Sequence, residues 1–143
     1  GVVSDFGHDM RYFNTFGGNS VAMAAANATL EVVQGENLIE NARKVGGILL
    51  SGLRNLMQGD ERIGDVRGTG LYLGIEMVKN RKSREPDSPL ALALVNEMRH
   101  RKVLISATAA NANVLKIRPP LTFSAGNADH FLTELAGALK TVR

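Results

Sequence analysis

Between Glu36 and Gln58 the chain repeats an apolar residue every three or four positions: Leu38, Ala42, Val45, Leu49, Leu53 and Leu56 fall on one stripe. That spacing matches the turn of an α-helix and no period-2 strand, so the segment predicts a long amphipathic helix with one face that must leave water. Gly59-Asp60 stops it. Downstream, Leu71-Tyr72-Leu73-Gly74-Ile75-Glu76-Met77-Val78 alternates as a half-buried strand does. A helix with a single apolar stripe and a strand with a single apolar face cover one another, which points to a layered α+β unit.

The remaining elements follow from breakers and caps. Residues 1–18 are rich in Gly, Asn, Asp and aromatics without sustained periodicity, and predict an irregular loop. Asn19 or Ser20 can accept from the free amides of a helix over Val21 to Gln34, with Gly35 placed to end it. Gly68-Thr69-Gly70 predicts a tight turn between two strands, and not a dinucleotide fingerprint: the third glycine is misplaced and the run enters a strand. Lys79 to Pro89 is charged and holds Pro86 and Pro89, hence a solvated loop, after which Ser88 can cap a helix from about Leu90 to Arg101. Val103-Leu104-Ile105 and Val114-Leu115-Lys116-Ile117 predict short strands, the second stopped by Pro119-Pro120. Asn127 or Asp129 can start a closing helix with Phe131, Leu132, Leu135 and Leu139 inward. The expected fold class is α+β: two N-terminal helices leading into a small C-terminal domain with a short, mainly antiparallel sheet. The expected division is a loop over 1–18, connecting helices over 19–59 and the small domain over 60–143.

Charge and composition narrow the function. The 143 residues carry 17 basic and 14 acidic side chains, dispersed along the chain, so the net +3 forms no basic patch and nucleic acid is not implied. There is no cysteine, and His8, His100 and His130 stand far apart, so no metal site is expected. No apolar run approaches a bilayer span, and no signal peptide opens the chain, which makes a cytoplasmic location the expectation. The start Gly1-Val2-Val3-Ser4 suits a piece of a longer polypeptide.

Two places could carry chemistry. Thr15-Phe16-Gly17-Gly18-Asn19-Ser20 leads straight into a helix, where free amides, the positive dipole end and a hydroxyl suit a phosphate; the plainer role is a turn and a cap. Arg118 ends an apolar strand just before two prolines, a rigid mount for two-point binding of a carboxylate or phosphate, with Lys116 on the same face. A solvated or locally paired arginine is the plainer alternative. Lys44, Lys79, Lys82, Lys102 and Lys140 fall on helix surfaces, charged loops or element ends, and none stands out as a cofactor lysine.

Three segments in order, Tyr12-Phe13-Asn14-Thr15-Phe16-Gly17-Gly18-Asn19, Ile63-Gly64-Asp65-Val66-Arg67-Gly68-Thr69-Gly70-Leu71 and Val114-Leu115-Lys116-Ile117-Arg118-Pro119-Pro120-Leu121, resemble landmarks of the class III aminotransferases. The wording is closest to the branch of alanine-glyoxylate aminotransferase 2-like proteins and ethanolamine-phosphate phospho-lyases. The resemblance implies the C-terminal part of a fold-type I enzyme that uses pyridoxal 5′-phosphate, acts on a small amine or amino acid and an oxo acid, and works as a homodimer. It implies that Thr15, with Phe16 beside it, serves the cofactor phosphate across the subunit interface, and that Arg118 holds a substrate carboxylate or, in the lyase branch, a phosphate. Ser20 replaces the family's usual proline, a change compatible with a helix start. The cofactor-anchoring lysine and the aspartate that partners the pyridine nitrogen would lie upstream of Gly1, so the chain alone is expected to be inactive. The rival expectations are a phospho-lyase, and a non-catalytic binding or assembly module of the same fold.

Overall fold

The computed structural model describes residues 1–142. Nine elements follow in order: α1 Val2–Asp9, α2 Ser20–Gly35, α3 Leu38–Gly59, β1 Ile63–Thr69, β2 Tyr72–Met77, α4 Ser88–His100, β3 Ser106–Thr108, β4 Val114–Ile117 and α5 Ala125–Thr141. The class is α+β, and every pairing in the four-stranded sheet is antiparallel, in the order β1-β2-β4-β3. The chain divides into two compact units, Gly1–Glu36 and Asn37–Arg143.

In the second unit one face of the sheet packs against the helices. Leu73, Ile75 and Met77 of β2 alternate into the core and meet Leu115 and Ile117 of β4, while Leu49 and Leu53 of α3, Leu94 and Met98 of α4, and Phe131 and Leu135 of α5 close over them. Each such side chain, taken fully out of water, stabilises by about 1.5–3 kcal/mol. The predicted stripe on α3 is the one that packs: Leu38, Val45, Leu49 and Leu53 are buried. Two glycines let α3 come close to the β1–β2 hairpin. Gly70 turns the chain with φ +52°, and a Cβ on Gly46 would run into the Gly70 carbonyl.

Caps and pairing shift three boundaries. The closing helix starts at Ala125, because Ser124 and Asn127 form a reciprocal capping box, with Ser124 Oγ accepting from Asn127 N at 3.1 Å. Asp87, one residue before the expected Ser88, caps α4. The strand expected at Val103-Leu104-Ile105 lies instead at Ser106–Thr108, since Lys102 takes φ +63° and Val103 N still donates to Met98 O, closing the end of α4. Only then can the chain extend and pair, Ser106 against Lys116.

The first unit differs from expectation in one respect. Residues 2–9, expected to be irregular, form α1. Val3, Phe6 and Met10 do recur at helical spacing, but the run is too short, and Gly7 too disruptive, for the period to stand out. Neither α1 nor α2 buries a residue within this chain.

Candidate functional site

The turn before α2 is built by two asparagines. Asn14 Oδ1 accepts from Phe16 N at 3.1 Å and Gly17 N at 3.0 Å, while its amide donates to the Tyr12 hydroxyl at 2.9 Å. Asn19 works from the other side: Nδ2 donates to Phe16 O at 2.7 Å, and Oδ1 caps the helix by accepting from Ala22 N at 2.9 Å. The glycines are needed here, since Gly18 takes φ +77° and a Cβ on Gly17 would sit 2.7 Å from Asn14 Nδ2. Thr15 and Phe16 ride outward on this locked turn, Phe16 at 84% exposure. Among the described residues the Thr15 hydroxyl makes no hydrogen bond. A hydroxyl carried outward on a fixed turn is able to donate to an anion.

The second candidate lies in the other unit. β4 pairs Ile117 with Leu73 and Lys116 with Gly74, and Arg118 follows at the strand end, exposed, with its guanidinium carbon 5.7 Å from the centroid of the Tyr72 ring. Tyr72 thus gives the cation a flat rest that offers no competing charge. Arg118, Pro119 and Leu121 form one wall of a cleft of about 570 Å³; Ile39, Ala42 and Arg43 of α3 and the Thr69-to-Tyr72 turn form the others. Lys116, half-buried, lines a neighbouring cleft of about 360 Å³ with Lys102 and His130. Thr15 and Phe16 belong to the first unit and Arg118 to the second.

The other strong polar interactions are structural. Arg62 binds Asp60 in two-point fashion, Nε to Oδ1 at 2.9 Å and Nη2 to Oδ2 at 2.7 Å, and also donates to Leu139 O at 2.6 Å and Val142 O at 2.7 Å, tying off the end of α5. Partial burial pushes the Asp60 carboxyl up, but the hydrogen bonds and charge of Arg62, with the charge of Arg81, outweigh it and hold the group below the usual carboxylate range. Arg101 joins α4 to α5 through Glu97 at 2.9 Å and Glu134 at 3.2 Å. Lys79 pairs with Glu85 at 2.5 Å, as a loop lysine should. Among the described residues no cluster of His, Cys, Asp or Glu could hold a metal, and no helix is long and apolar enough to cross a membrane.

Motif reading overlooked the residues that hold the candidates in place: Asn14, Asn19 as a tie to Phe16, and Tyr72 beneath Arg118. An asparagine two and three residues ahead of free amides is the signal for the first. The third could be found only once the strand register set Tyr72 one residue from the partner of Ile117.

Comparison with known proteins follows the same lines. The model of the family described as aminotransferase class-III matches residues 5–139. An ethanolamine-phosphate phospho-lyase homolog of Caenorhabditis elegans is 42% identical over 94% of this chain and 29% of its own length. An alanine-glyoxylate aminotransferase 2-like protein of Drosophila melanogaster is 46% identical over 92% of this chain and 27% of its own. Among solved structures, an Arthrobacter phospholyase in complex with phosphoethanolamine matches with TM-score 0.90 and 38% identity, covering 99% of this chain and 34% of that one. A PLP-bound amine transaminase from an uncultivated Pseudomonas species matches with TM-score 0.84 and 31% identity, over 96% of this chain and 31% of that one. The chain spans about three-tenths of the length of these relatives.

Proposed function

The chain belongs to the aminotransferase class-III family, in the branch of aminotransferase 2-like and phospho-lyase proteins, and on that premise we propose that it is the C-terminal portion of a pyridoxal-phosphate-dependent enzyme that moves an amino group from a small amine or amino acid to an oxo acid. In this reading residues 1–18, α1 and the turn that follows it, are the cofactor-phosphate and dimer-interface segment, 19–59 the connecting helices and 60–143 the small domain, in a cytoplasmic homodimer. The chain alone is inactive, because the anchoring lysine belongs to a segment ahead of Gly1.

The cofactor, when bound, supplies an electron sink for the bond-breaking at the substrate amine carbon. This chain's part is to bind and orient. Thr15 donates its hydroxyl to the cofactor phosphate of the partner subunit, from a turn whose shape Asn14 and Asn19 already fix, so little ordering is needed on binding. A two-fold interface would deliver the same loop to both sites. Phe16, next to Thr15 and 84% exposed, would help hold the same group. Arg118 grips the acidic group of the substrate with its planar fork.

The observation that carries this reading is the mount of Arg118: an exposed guanidinium fixed between a paired strand, two prolines and the Tyr72 ring. A second reading, elimination of phosphate from a phosphorylated amine, is favoured by the likeness to the phospholyase bound to phosphoethanolamine. Both are tested on the full-length protein, by absorbance between 300 and 500 nm after incubation with pyridoxal phosphate, with alanine or phosphoethanolamine then added. A band that shifts with amine supports the enzyme reading, and phosphate release then selects the lyase. Absence of any band would leave a non-catalytic module of the same fold.

A further inference from the structure

Arg118 can grip an anion only if the chain beyond it is held, and that chain is poor in means of holding itself. Pro119 and Pro120 have no amide hydrogen to donate. The first tie after them is local, Phe123 N to Pro120 O at 3.0 Å, which closes a turn without fastening it to anything. Beyond the packing of the Phe123 side chain against the core, the fastening comes from α3. Asn41 Nδ2 donates to Leu121 O at 2.7 Å and to Phe123 O at 3.0 Å, across 80 and 82 residues of sequence. Among the described residues no other hydrogen bond ties residues 119–123 to another element. Both amide hydrogens of Asn41 are used, and two carbonyls in front of them demand the nitrogen there and would repel an oxygen. The helix carrying Asn41 is itself immobilised, with Leu38 and Val45 buried on either side along the chain. The clamp thus links the packed helix to the loop wall of the cleft that Arg118 and Pro119 share with Ile39, Ala42 and Arg43.

We propose that Asn41 is a positioning residue for Arg118: its two hydrogen bonds fix the loop after Pro119-Pro120, and so the aim of the guanidinium at the acidic group of the substrate. This rests on the reading of Arg118 as the substrate-anion anchor. Losing the clamp leaves the charge of Arg118 in place and degrades its geometry, so the loss falls on binding of acidic substrates and not on the amine chemistry.

The test uses the full-length enzyme with two kinds of amine donor, one acidic (alanine or phosphoethanolamine) and one without an acidic group (benzylamine), the cofactor absorbance giving an apparent Kd beside the steady-state KM. Asn41→Leu, close in shape and without donors, is expected to raise KM and Kd for the acidic donor roughly tenfold, the loss on weakening a hydrogen bond between charged groups, with kcat at saturation nearly unchanged and benzylamine unaffected. In an Arg118→Ala background the same substitution should add nothing. If Arg118→Ala itself leaves the acidic donor's KM unchanged, the anchor reading falls and this proposal with it. If Arg118→Ala raises that KM but Asn41→Leu does not, or raises it equally for both donors, Arg118 stands and the positioning role is overturned. Should Asn41→Leu fail to fold, Asn41→Ser is measured in the same way: a smaller rise confined to the acidic donor supports the clamp, and an equal rise for both donors overturns it.

Discussion

Phe131 and Phe16 are both aromatic residues close to a candidate binding element, yet the first is 5% exposed and the second 84%. The contrast extends to the units that hold them. In the unit from Asn37 onward, helices and sheet exchange apolar faces and leave Leu49, Leu94 and Leu115 without solvent contact. In Gly1–Glu36, Val21, Met23, Leu30 and Val32 are all exposed, and no residue of α1 or α2 is buried. The first region is stabilised by its own core. The second has order that is local, from caps, Asn side chains and the edge-on contact of the Phe6 and Tyr12 rings, and it buries none of its apolar residues. A loop proposed to serve a neighbouring subunit's cofactor is expected to be of this kind, since its apolar surface is satisfied by assembly.

The sharpest way to break that comparison is to separate the regions. A chain of residues 37–143 should melt in one cooperative transition by circular dichroism, whereas a peptide of residues 1–36 should lose helicity gradually, because 16 residues of α2 without packing are near the limit of helix stability in water. A cooperative melt of the peptide would show a core that the burial pattern denies. Next in size is a matched pair of truncations in the whole chain, read by denaturant midpoint. Leu49→Ala, at a site without exposure, should cost about 2–5 kcal/mol. Val21→Ala, at a site 79% exposed, should stay within about 0.5 kcal/mol. Equal costs would erase the distinction between the units.

A smaller effect separates charge from packing inside the stable unit. Arg62→Ala removes the two-point bond to Asp60 and the two bonds to the end of α5, and should cost about 1–3 kcal/mol. The sign with pH follows from Asp60. Its carboxyl titrates below its ordinary value in the folded state, so the contribution is fully present above the ordinary carboxylate range and is lost as pH falls through the lowered value. Asp60→Asn should therefore be less stable than the parent at neutral pH and approach it in acid. A difference that stays constant over that range would remove the charge of Asp60 as its source.

The same divide explains how much could be read from the sequence. Where a core exists, periodicity reports it: the α3 stripe, the β2 alternation and the inward face of α5 were all legible, and so was the antiparallel α+β class. Boundaries were not, because caps decide them, and Ser124 with Asn127 or Asp87 with Leu90 N are choices among several possible capping residues. α1 is not legible because its apolar run is short and holds Gly7, whereas α2, equally without a buried residue, is legible from its cap and its alanines. At the candidate sites, Arg118 and Thr15 could be singled out as candidates by their places at a strand end and in a turn, but Asn41 could not. It stands among helix residues, and its partners lie 80 residues on, in a loop whose return to α3 is set by the whole sheet.

The smallest predicted effect concerns the unit without a core. Asn19 both caps α2 through Ala22 N and ties back Phe16 O, so Asn19→Ala removes one bond from the helix and one from the Thr15 turn. Loss of an N-cap costs about 0.5–2 kcal/mol of helix stability. Since α2 contributes no buried residue, that loss should not propagate: far-ultraviolet ellipticity should drop slightly while the main thermal transition of the chain stays where it was. If the main transition moved with it, α2 and the core would be one cooperative body, and the local order of the Thr15 turn would owe its stability to the core after all.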